Sequence, residues 1–480
     1  MPHRWRADQR FQNRVIGTLA FNRTYRLWTC IRYASTIRAA QKRLLRTVGV
    51  KNPMDQPSAS PSNLQPLGQI KRPPSRLRRV NRIALVLALL WLLLIGLTLT
   101  PEVDDFKWYW QGAHSFLLTG DPYQLKDDPA GAIVAQPATD SDNGAILYSY
   151  PPLFAYAMQP FGQLDYRIAQ WLWFGLNTLL LGGLIALCMR LSGSAFARRY
   201  WGILTLIMLV APPTRLSLQL GQVSILLAVL LVGCLALERR PYLAGLLLAS
   251  ASWIKLTPIV IGMRYALRRP RGVLWWTISA GLALLALSLL AYGSAPYQHF
   301  FESVVFGRAY PYAAEHNISF YGFWSRLLAR SLYAVPLLDA PALAQTLTLL
   351  SSLATLGLGA WATRAPADQL GNQLVFCLWL CVMQLLSPSN GYYSLVALLL
   401  PLLVVLRYLE QRPDQRVRLW LILGTALVCI PPTWSDWQPT LYNSVHTGWG
   451  LLVLTPSLYG LLIYTILLAR LARSYQPNVS

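Results

Sequence analysis

Charged residues are scarce in this chain of 480 residues, and their scarcity decides its class. Lys, Arg, Asp and Glu make up 13% of the sequence, roughly half of what a soluble domain carries. Cysteine is rare too: the six cysteines lie in basic or apolar stretches, which excludes a secreted disulfide scaffold. The rest is rich in apolar residues, 54% of the chain, with 18 Trp and 24 Tyr, so most of it is not intrinsically disordered. Because uncharged apolar segments of about 20 residues recur, we expect an all-α polytopic membrane protein.

Acidic residues are almost absent from the N-terminal end. Residues 1–82 contain 18 Lys and Arg but only two acids, so they hold +16 of the formal charge of +23. A basic segment ahead of the first apolar run favours the cytoplasmic side for that end of the chain. We predict a disordered basic tail and Pro/Ser-rich linker over 1–82, followed by a multi-pass membrane domain over 83–474. The tail is either a non-functional extension or a basic amphipathic segment that rests on anionic lipid.

Apolar runs and their flanking arginines predict about twelve membrane spans, with both termini cytoplasmic. Eight acids and two lysines lie between residues 101 and 150, so we expect this loop outside. The next run, 151–162, is short and contains Pro160, and we interpret it as an interfacial helix. Segment 241–268 has Lys255 near its middle and arginines at both ends, which predicts two short helices that leave and re-enter the same side. The other spans are expected near 83–100, 168–189, 201–213, 223–237, 273–292, 342–362, 370–387, 392–407, 418–431 and 448–469. The outer loops are then 101–166, 293–341 and 432–447.

Two aspartates, Asp104 and Asp105, follow the first predicted span within a few residues. Ionisable residues near membrane depth are functional candidates, because charge is expensive there unless it is used. Helical spacing puts Asp105 on one stripe with Tyr109, Gly112 and Phe116, which predicts an amphipathic helix at the interface. The alternative is that the aspartates only cap this helix.

Cations and polar groups recur at two further predicted outer turns. Arg215 and Gln222 fall in a short turn between two spans, and Lys255 falls in another. Two cations that point into an outer cavity suit a lipid phosphate, although each side chain can instead extend towards water. Tyr150 precedes the predicted interfacial helix 151–162.

The loop 293–341 contributes His316 and Asn317. No second histidine stands at ligand spacing, so we predict no metal site. Cys377 and Cys381 are one helical turn apart in a predicted span, which favours core packing. No Gly-rich phosphate loop, Ser/His/Asp set or nucleic-acid module is apparent, so no nucleic-acid partner is expected.

An ordered set of motifs over residues 83–400 resembles the GT-C polytopic glycosyltransferases, and within them glycosyltransferase family 87, the bacterial polyprenyl-phosphate-mannose-dependent α-mannosyltransferases. The motifs are VDDF at 103–106 with Tyr109, GDPY at 120–123, YPPL at 150–153, LGQV at 220–223, AG at 244–245, IKLTP at 254–258, HNIS at 316–319 and SP at 387–388. Each motif is weak alone, but their order makes the set specific. The stretch NGYY at 390–393 departs from the Trp/His-containing stretch common in that family, which leaves the acceptor open.

The resemblance implies a polyprenyl-phosphate sugar donor, with mannose as the expected sugar, and a lipid or glycan acceptor at the extracytoplasmic membrane surface. It implies an acidic general base in the first outer loop, which the Asp-Phe-x-x-Tyr pattern assigns to Asp105 with Asp104 beside it. Phosphate is a competent leaving group, so we expect a single inverting displacement without metal or cofactor. The substrate-binding residues expected from these patterns are Tyr109, Tyr150, Arg215, Gln222, Lys255, His316 and Asn317.

Two other classes of function remain open. A transporter or flippase of lipid-linked sugars would have discontinuous helices at matching positions in two halves, and Lys255 marks only one such break. A non-catalytic membrane scaffold recruited through its basic tail would not depend on Asp104, Asp105 or Lys255.

Overall fold

The computed structural model describes residues 75–99, 105–123, 148–306, 313–331, 333–364, 368–435 and 438–475. These residues are almost entirely helical. Isolated β-bridges pair Asn317 with Gly391 and Val335 with Thr447, and no β-strand occurs among the described residues. In chain order the α-helices are α1 (Ser75–Leu97), α2 (Phe106–Thr119), α3 (Pro152–Gly162), α4 (Tyr166–Ser192), α5 (Ala195–Arg199), α6 (Trp201–Val210), α7 (Pro212–Gln219), α8 (Ser224–Ala236), α9 (Pro241–Ile254), α10 (Gly262–Leu267), α11 (Gly272–Tyr292), α12 (Ala295–His299), α13 (Phe320–Leu328), α14 (Pro341–Thr363), α15 (Gln369–Leu386), α16 (Leu399–Gln411), α17 (Gln415–Val428), α18 (Pro439–Val445) and α19 (Pro456–Ser474). Short 3₁₀ segments cover Thr257–Ile261, Tyr392–Leu398, Pro432–Ser435 and Gly448–Leu452, and a π-helical turn covers Phe300–Val305.

Six helical segments of the described chain are long and apolar enough to cross a membrane: α1, α4, α11, α14, α15 and Tyr392–Gln411. Helices α6 and α7 add a seventh if they count as one span with a bend of 61°. The expected count of about twelve is not confirmed. The reason is helix length, because α8, α9 and α17, which cover other predicted crossings, have 13 or 14 residues, fewer than the roughly 20 that a crossing needs.

The structure moves two predicted boundaries. Helix α1 begins at Ser75, so residues 75–82 belong to the first helix and not to the basic tail; the rest of that tail, 1–74, lies outside the described residues. The last predicted span, 448–469, is divided between Gly448–Leu452 and α19, because Pro456 starts a new helix, a position where its missing N–H is not needed.

Two other expectations for local structure are confirmed. Helix α3 runs from Pro152 to Gly162, where the interfacial helix is predicted. Helix α9 ends at Ile254, Lys255 is extended, and a 3₁₀ segment follows from Thr257.

The centre of the molecule is α15, in which nearly every side chain is buried. The helix is apolar on all sides and therefore packs on all sides, against α19, α14 and α16. Cys377 and Cys381 are fully buried in it, which confirms their interpretation as core residues. In contrast, α1, α11 and α14 leave rows of leucines exposed, as expected for helices that face lipid.

A polar cluster lies near the N-terminal end of α15. Arg264 pairs with Glu238 at 2.7 Å and donates to Asn372 at 2.6 Å, and Arg268 donates to the same Asn372 oxygen at 2.9 Å. Asn372 in turn donates to Glu238 at 2.7 Å. The cluster therefore ties α10, the end of α8 and α15 together at this end of the molecule.

Candidate active site

Helix α2 presents the predicted stripe to the protein interior. Tyr109, Gly112 and Phe116 are all buried, and the Gly112 backbone lies against the ring of Tyr148, where a Cβ atom would come within 2.4 Å of the ring. Asp105 stands at the N-cap position but makes no side-chain capping hydrogen bond. The capping interpretation of Asp105 is thus wrong, and its carboxylate is available for another role. Asp104 lies outside the described residues.

A tight turn between α7 and α8 fixes the start of α2. The backbone N–H groups of Asp105 and Phe106 donate to the carbonyl of Leu220 at 3.0 and 3.2 Å. Gly221 has a φ of +60°, a left-handed conformation that glycine adopts without strain. Trp173 of α4 donates to the Gly221 carbonyl at 2.6 Å. The turn is therefore rigid, and it delivers the next residue, Gln222, to Asp105.

Gln222 connects Asp105 to two tyrosines. Its side-chain N–H donates to the Asp105 carboxylate, and its carbonyl oxygen accepts from the Tyr109 hydroxyl at 2.9 Å. The Tyr109 and Tyr150 hydroxyls lie 3.0 Å apart. Because both ends of the amide are engaged, Gln222 holds the carboxylate in one orientation.

Burial raises the pKa of Asp105, although His316, Gln222 and Lys107 act in the opposite direction. A raised pKa makes the carboxylate a stronger base than an ordinary surface aspartate. Asp105 as a whole residue is half-buried. Such a group is suited to take a proton from a hydroxyl that approaches it.

His316 belongs to the turn before α13. Its ring Nδ1 lies 3.9 Å from the Glu315 carboxylate. The contact with His316 is the main cause that lowers the pKa of Glu315 to about 2. About a third of the His316 side chain is exposed. His316 is also among the groups whose charge lowers the pKa of Asp105, and its predicted contact with the substrate stays a prediction.

Asn317 is predicted to bind substrate, and the structure shows it inside the protein. It is fully buried, its amide N–H donates to the Pro388 carbonyl at 3.0 Å, and its carbonyl oxygen accepts from Ser319 Oγ at 2.8 Å. Its contacts hold two loops together, so a direct role at the substrate stays a prediction that these contacts do not support.

A cleft adjoins the Asp105 network, since Gln222 and Tyr150 are among its lining residues. Lys255 lines the same cleft. The other polar residues of its lining are Ser224, Thr257, Gln384, Asn390 and Ser394. None of these five is among the predicted site residues, although Gln384, a polar residue in an otherwise apolar span, was a usable signal.

Arg215 does not join this group. Its side chain is exposed on α7, and its Nε donates to Gln219 at 3.0 Å. Arg215 is absent from the cleft lining, so its phosphate-binding role remains a prediction, whereas Lys255 stands at the cleft.

A second, apolar cavity borders the first. Leu153, Phe154, Trp253, Ile254 and Leu284 line it, together with Tyr156, Ala157 and Ser250. The end of α9 separates the two spaces: Ile254 faces the apolar cavity, and the next residue, Lys255, faces the polar cleft. A molecule with a polar head and a hydrocarbon chain matches this pair of adjoining spaces.

Comparison with known proteins gives the family of the chain. Residues 148–388, half of the chain, match the model of glycosyltransferase family 87. One relative, a polyprenol-phosphate-mannose-dependent alpha-(1-2)-phosphatidylinositol pentamannoside mannosyltransferase of Mycobacterium tuberculosis, is 27% identical over 302 residues, which cover 62% of this chain and 67% of the relative. The protein of the same name from Mycolicibacterium smegmatis is 28% identical over 298 residues, with 62% and 70% covered. A polyprenol-phosphate-mannose-dependent alpha-(1-2)-phosphatidylinositol mannoside mannosyltransferase of M. smegmatis is 27% identical over 323 residues, with 62% and 69% covered. The chain belongs to glycosyltransferase family 87, within the GT-C type, and is a membrane glycosyltransferase.

Proposed function

We propose that this protein transfers a hexose, mannose in the first instance, from a polyprenyl-phosphate donor to a hydroxyl of a lipid or glycan acceptor. The observation that carries the proposal is the hydrogen bond by which Gln222 holds the Asp105 carboxylate, because Gln222 lines the same cleft as Lys255. A displacement at the anomeric carbon requires a base for the attacking hydroxyl and benefits from a cation at the departing phosphate, and Asp105 and Lys255 are of these two kinds.

The proposed reaction is one displacement. The acceptor oxygen attacks the anomeric carbon while its proton passes to an Asp105 carboxylate oxygen, and the bond between that carbon and the phosphate oxygen breaks. Polyprenyl phosphate leaves with the bonding electron pair, and the Lys255 ammonium stabilises its added charge. Attack opposite the leaving group inverts the anomeric carbon, and no metal ion is needed for a leaving group that is already stable as an anion.

The lipid nature of the donor is supported by the apolar cavity. A phosphate at Lys255 places the attached hydrocarbon chain next to Ile254, from which the chain can run past Leu153 and Trp253. The names of the relatives specify a polyprenol-phosphate-mannose donor. Those names also support a phosphatidylinositol mannoside as the first acceptor to test.

The cleft is proposed to open on the extracytoplasmic side, with both termini cytoplasmic. Asn372 belongs to the polar cluster that contains Arg264 and Arg268. Gln384 lines the cleft, and the two residues lie near opposite ends of α15. Twelve residues of α-helix separate them, a rise of about 18 Å. Because arginines favour the cytoplasmic side, the cleft belongs on the other one.

Purified protein in lipid vesicles, incubated with radiolabelled polyprenyl-phosphate mannose and phosphatidylinositol mannosides, tests the proposal. We expect the label to appear in a larger glycolipid, with release of polyprenyl phosphate. Movement of the donor between leaflets without any product would instead identify a transporter or flippase. Labelling with another hexose donor but not with mannose would overturn the sugar assignment alone.

A separate prediction concerns the apolar cavity as the site of the donor's hydrocarbon chain. Ala157 is exposed at this cavity, so Ala157→Trp should fill it without disturbing buried packing and raise KM for a long-chain donor by about tenfold, the value of one or two lost methylene contacts. Ala286→Trp, which alters an exposed alanine on α11 away from the cavity, is the control. A donor with a short chain should be used equally well by both variants; an equal loss with short and long donors would exclude this path for the hydrocarbon.

A further inference from the structure

Arg326 is a buried cation that the proposed reaction does not use. The residue lies in α13 with 1% of its surface exposed. Its guanidinium donates to three neutral oxygens: the Ala314 carbonyl at 2.7 Å, the Asn317 carbonyl at 2.9 Å and the Thr455 hydroxyl at 2.9 Å. Burial lowers its pKa to about 10, so the group is still charged at neutral pH. Burying a charged group is energetically unfavourable, so we expect this arginine to have a specific structural or functional role.

The two carbonyls that Arg326 binds bracket His316. Ala314 and Asn317 are the first and last residues of a turn, closed by a hydrogen bond of 2.9 Å from the Asn317 N–H to the Ala314 carbonyl. Because one guanidinium nitrogen holds both ends, the two residues between them, Glu315 and His316, are held in place. Thr455, at the start of α19, anchors the other nitrogen and also donates to the Glu315 carbonyl at 3.4 Å.

The same turn also holds the part of the cleft lining that contains Asn390. The backbone N–H of Tyr392 donates to the His316 carbonyl at 2.9 Å, and the N–H of Ile318 donates to the Asn390 carbonyl at 2.9 Å. Asn390 donates in turn to the Gln384 side chain at 2.8 Å. A displacement of the turn would therefore move both His316 and the cleft residue Asn390.

We propose that Arg326 is a positioning residue for the transfer reaction, because it clamps the turn that presents His316 to Asp105. This inference rests on the proposed function. The charged and titratable groups that act on Asp105 are His316 and Lys107, with Tyr109 and Tyr150 beside it; those that act on Arg326 are Glu315 and Tyr459. Of these groups, Glu315 and His316 belong to the clamped turn, and of these two His316 is the one that acts on Asp105.

Arg326→Lys tests the clamp. An ammonium cannot span the three oxygens in the planar geometry of a guanidinium, so we expect kcat/KM to fall about tenfold. His316 favours the ionised carboxylate, so a displaced His316 should also move the acid limb of the pH profile upward. Arg330→Met, which removes an exposed arginine paired with Asp339 at 2.8 Å on the following loop, should leave both quantities unchanged.

A double-mutant cycle separates positioning from general destabilisation. In a His316→Gln background, Arg326→Lys should produce no further shift of the acid limb, because the histidine through which it acts is gone. An equal shift in both backgrounds would overturn the proposal, and so would a wild-type acid limb in Arg326→Lys itself.

A readout that needs no turnover keeps this proposal apart from the proposed function. Modification of histidines by diethyl pyrocarbonate, followed by mass spectrometry, should be several-fold faster at His316 in Arg326→Lys than in the wild-type protein. His299, which lies in α12, serves as the internal reference and should not change. An unchanged modification rate at His316 would contradict the positioning role of Arg326, even if sugar transfer is confirmed. A faster rate in Arg326→Lys, together with no sugar transfer by the wild-type protein, would contradict the proposed function alone.

Discussion

Asp105→Asn is expected to lower the rate of sugar transfer by about 10³-fold, within the range of a lost general base. Asparagine has nearly the same shape, and its carbonyl oxygen can still accept from Gln222, so the loop and the cleft should keep their geometry. What disappears is the proton acceptor. The loss should therefore appear in kcat, with little change in KM for the donor, measured by the release of polyprenyl phosphate under saturating acceptor.

Asp165→Asn is the matched control for this prediction. Asp165 is an acidic residue at the N-terminus of α4, where its carboxylate accepts from the backbone N–H of Arg167 at 2.9 Å. Asparagine caps a helix about as well as aspartate, and Asp165 does not line the cleft, so activity should stay near the wild-type value. Asp104→Asn should retain more activity than Asp105→Asn. An Asp105→Asn enzyme with more than a tenth of the wild-type rate would reassign the base.

The pH dependence of transfer follows from the same carboxylate. Burial raises the pKa of Asp105, and only its ionised form accepts a proton. The rate should therefore fall as the pH drops through that raised pKa, at a higher pH than the usual value of about 4 for aspartate. In His316→Gln the neighbour that lowers the pKa of Asp105 is removed, so the acid limb should move further upward. An acid limb that stays in place would show that His316 does not act on the base.

The sequence predicts the local features of this site well, because they are encoded by short-range chemistry. The spacing of Asp105, Tyr109 and Gly112 defines one helical stripe, and Lys255 followed by Pro258 marks a helix end. Both features depend only on backbone periodicity and on the residue types that interrupt it. The family assignment rests on the order of such motifs, and it is confirmed over residues 148–388.

The sequence does not predict which of these residues lie close together in the folded protein. Gln222 is predicted to bind substrate, but its hydrogen bonds to Asp105 and Tyr109 depend on the Gly221 turn meeting α2, over a hundred residues away in the chain. Arg215 and Lys255 are both cations at predicted outer turns, although extension towards water is the weaker alternative for Lys255 because it lies mid-segment. In the structure Arg215 is exposed and Lys255 lines the cleft. Hydropathy alone does not distinguish a short buried helix from a crossing, which is why the expected number of spans stays unconfirmed.

Lys255→Met is the second large prediction, and it tests the other half of the mechanism. If the ammonium stabilises the departing phosphate, its loss should lower kcat/KM by about 10²-fold, as the loss of one charge-stabilising donor does in other transfer enzymes. Methionine keeps the length and apolar stem of the side chain. The break after α9 should persist, because Pro258 is still present and cannot continue a helix.

The comparison between Lys255 and Arg215 makes this prediction sharp. Lys255→Arg keeps a cation at the cleft and should recover much of the lost activity, whereas Arg215→Met should stay within about threefold of the wild-type protein, since an exposed cation is screened by water. The phosphate itself supplies an independent readout: inhibition by free polyprenyl phosphate should weaken in Lys255→Met in parallel with kcat/KM. If inhibition weakens instead in Arg215→Met, the phosphate lies at α7, and the base and the leaving group do not share the cleft described above.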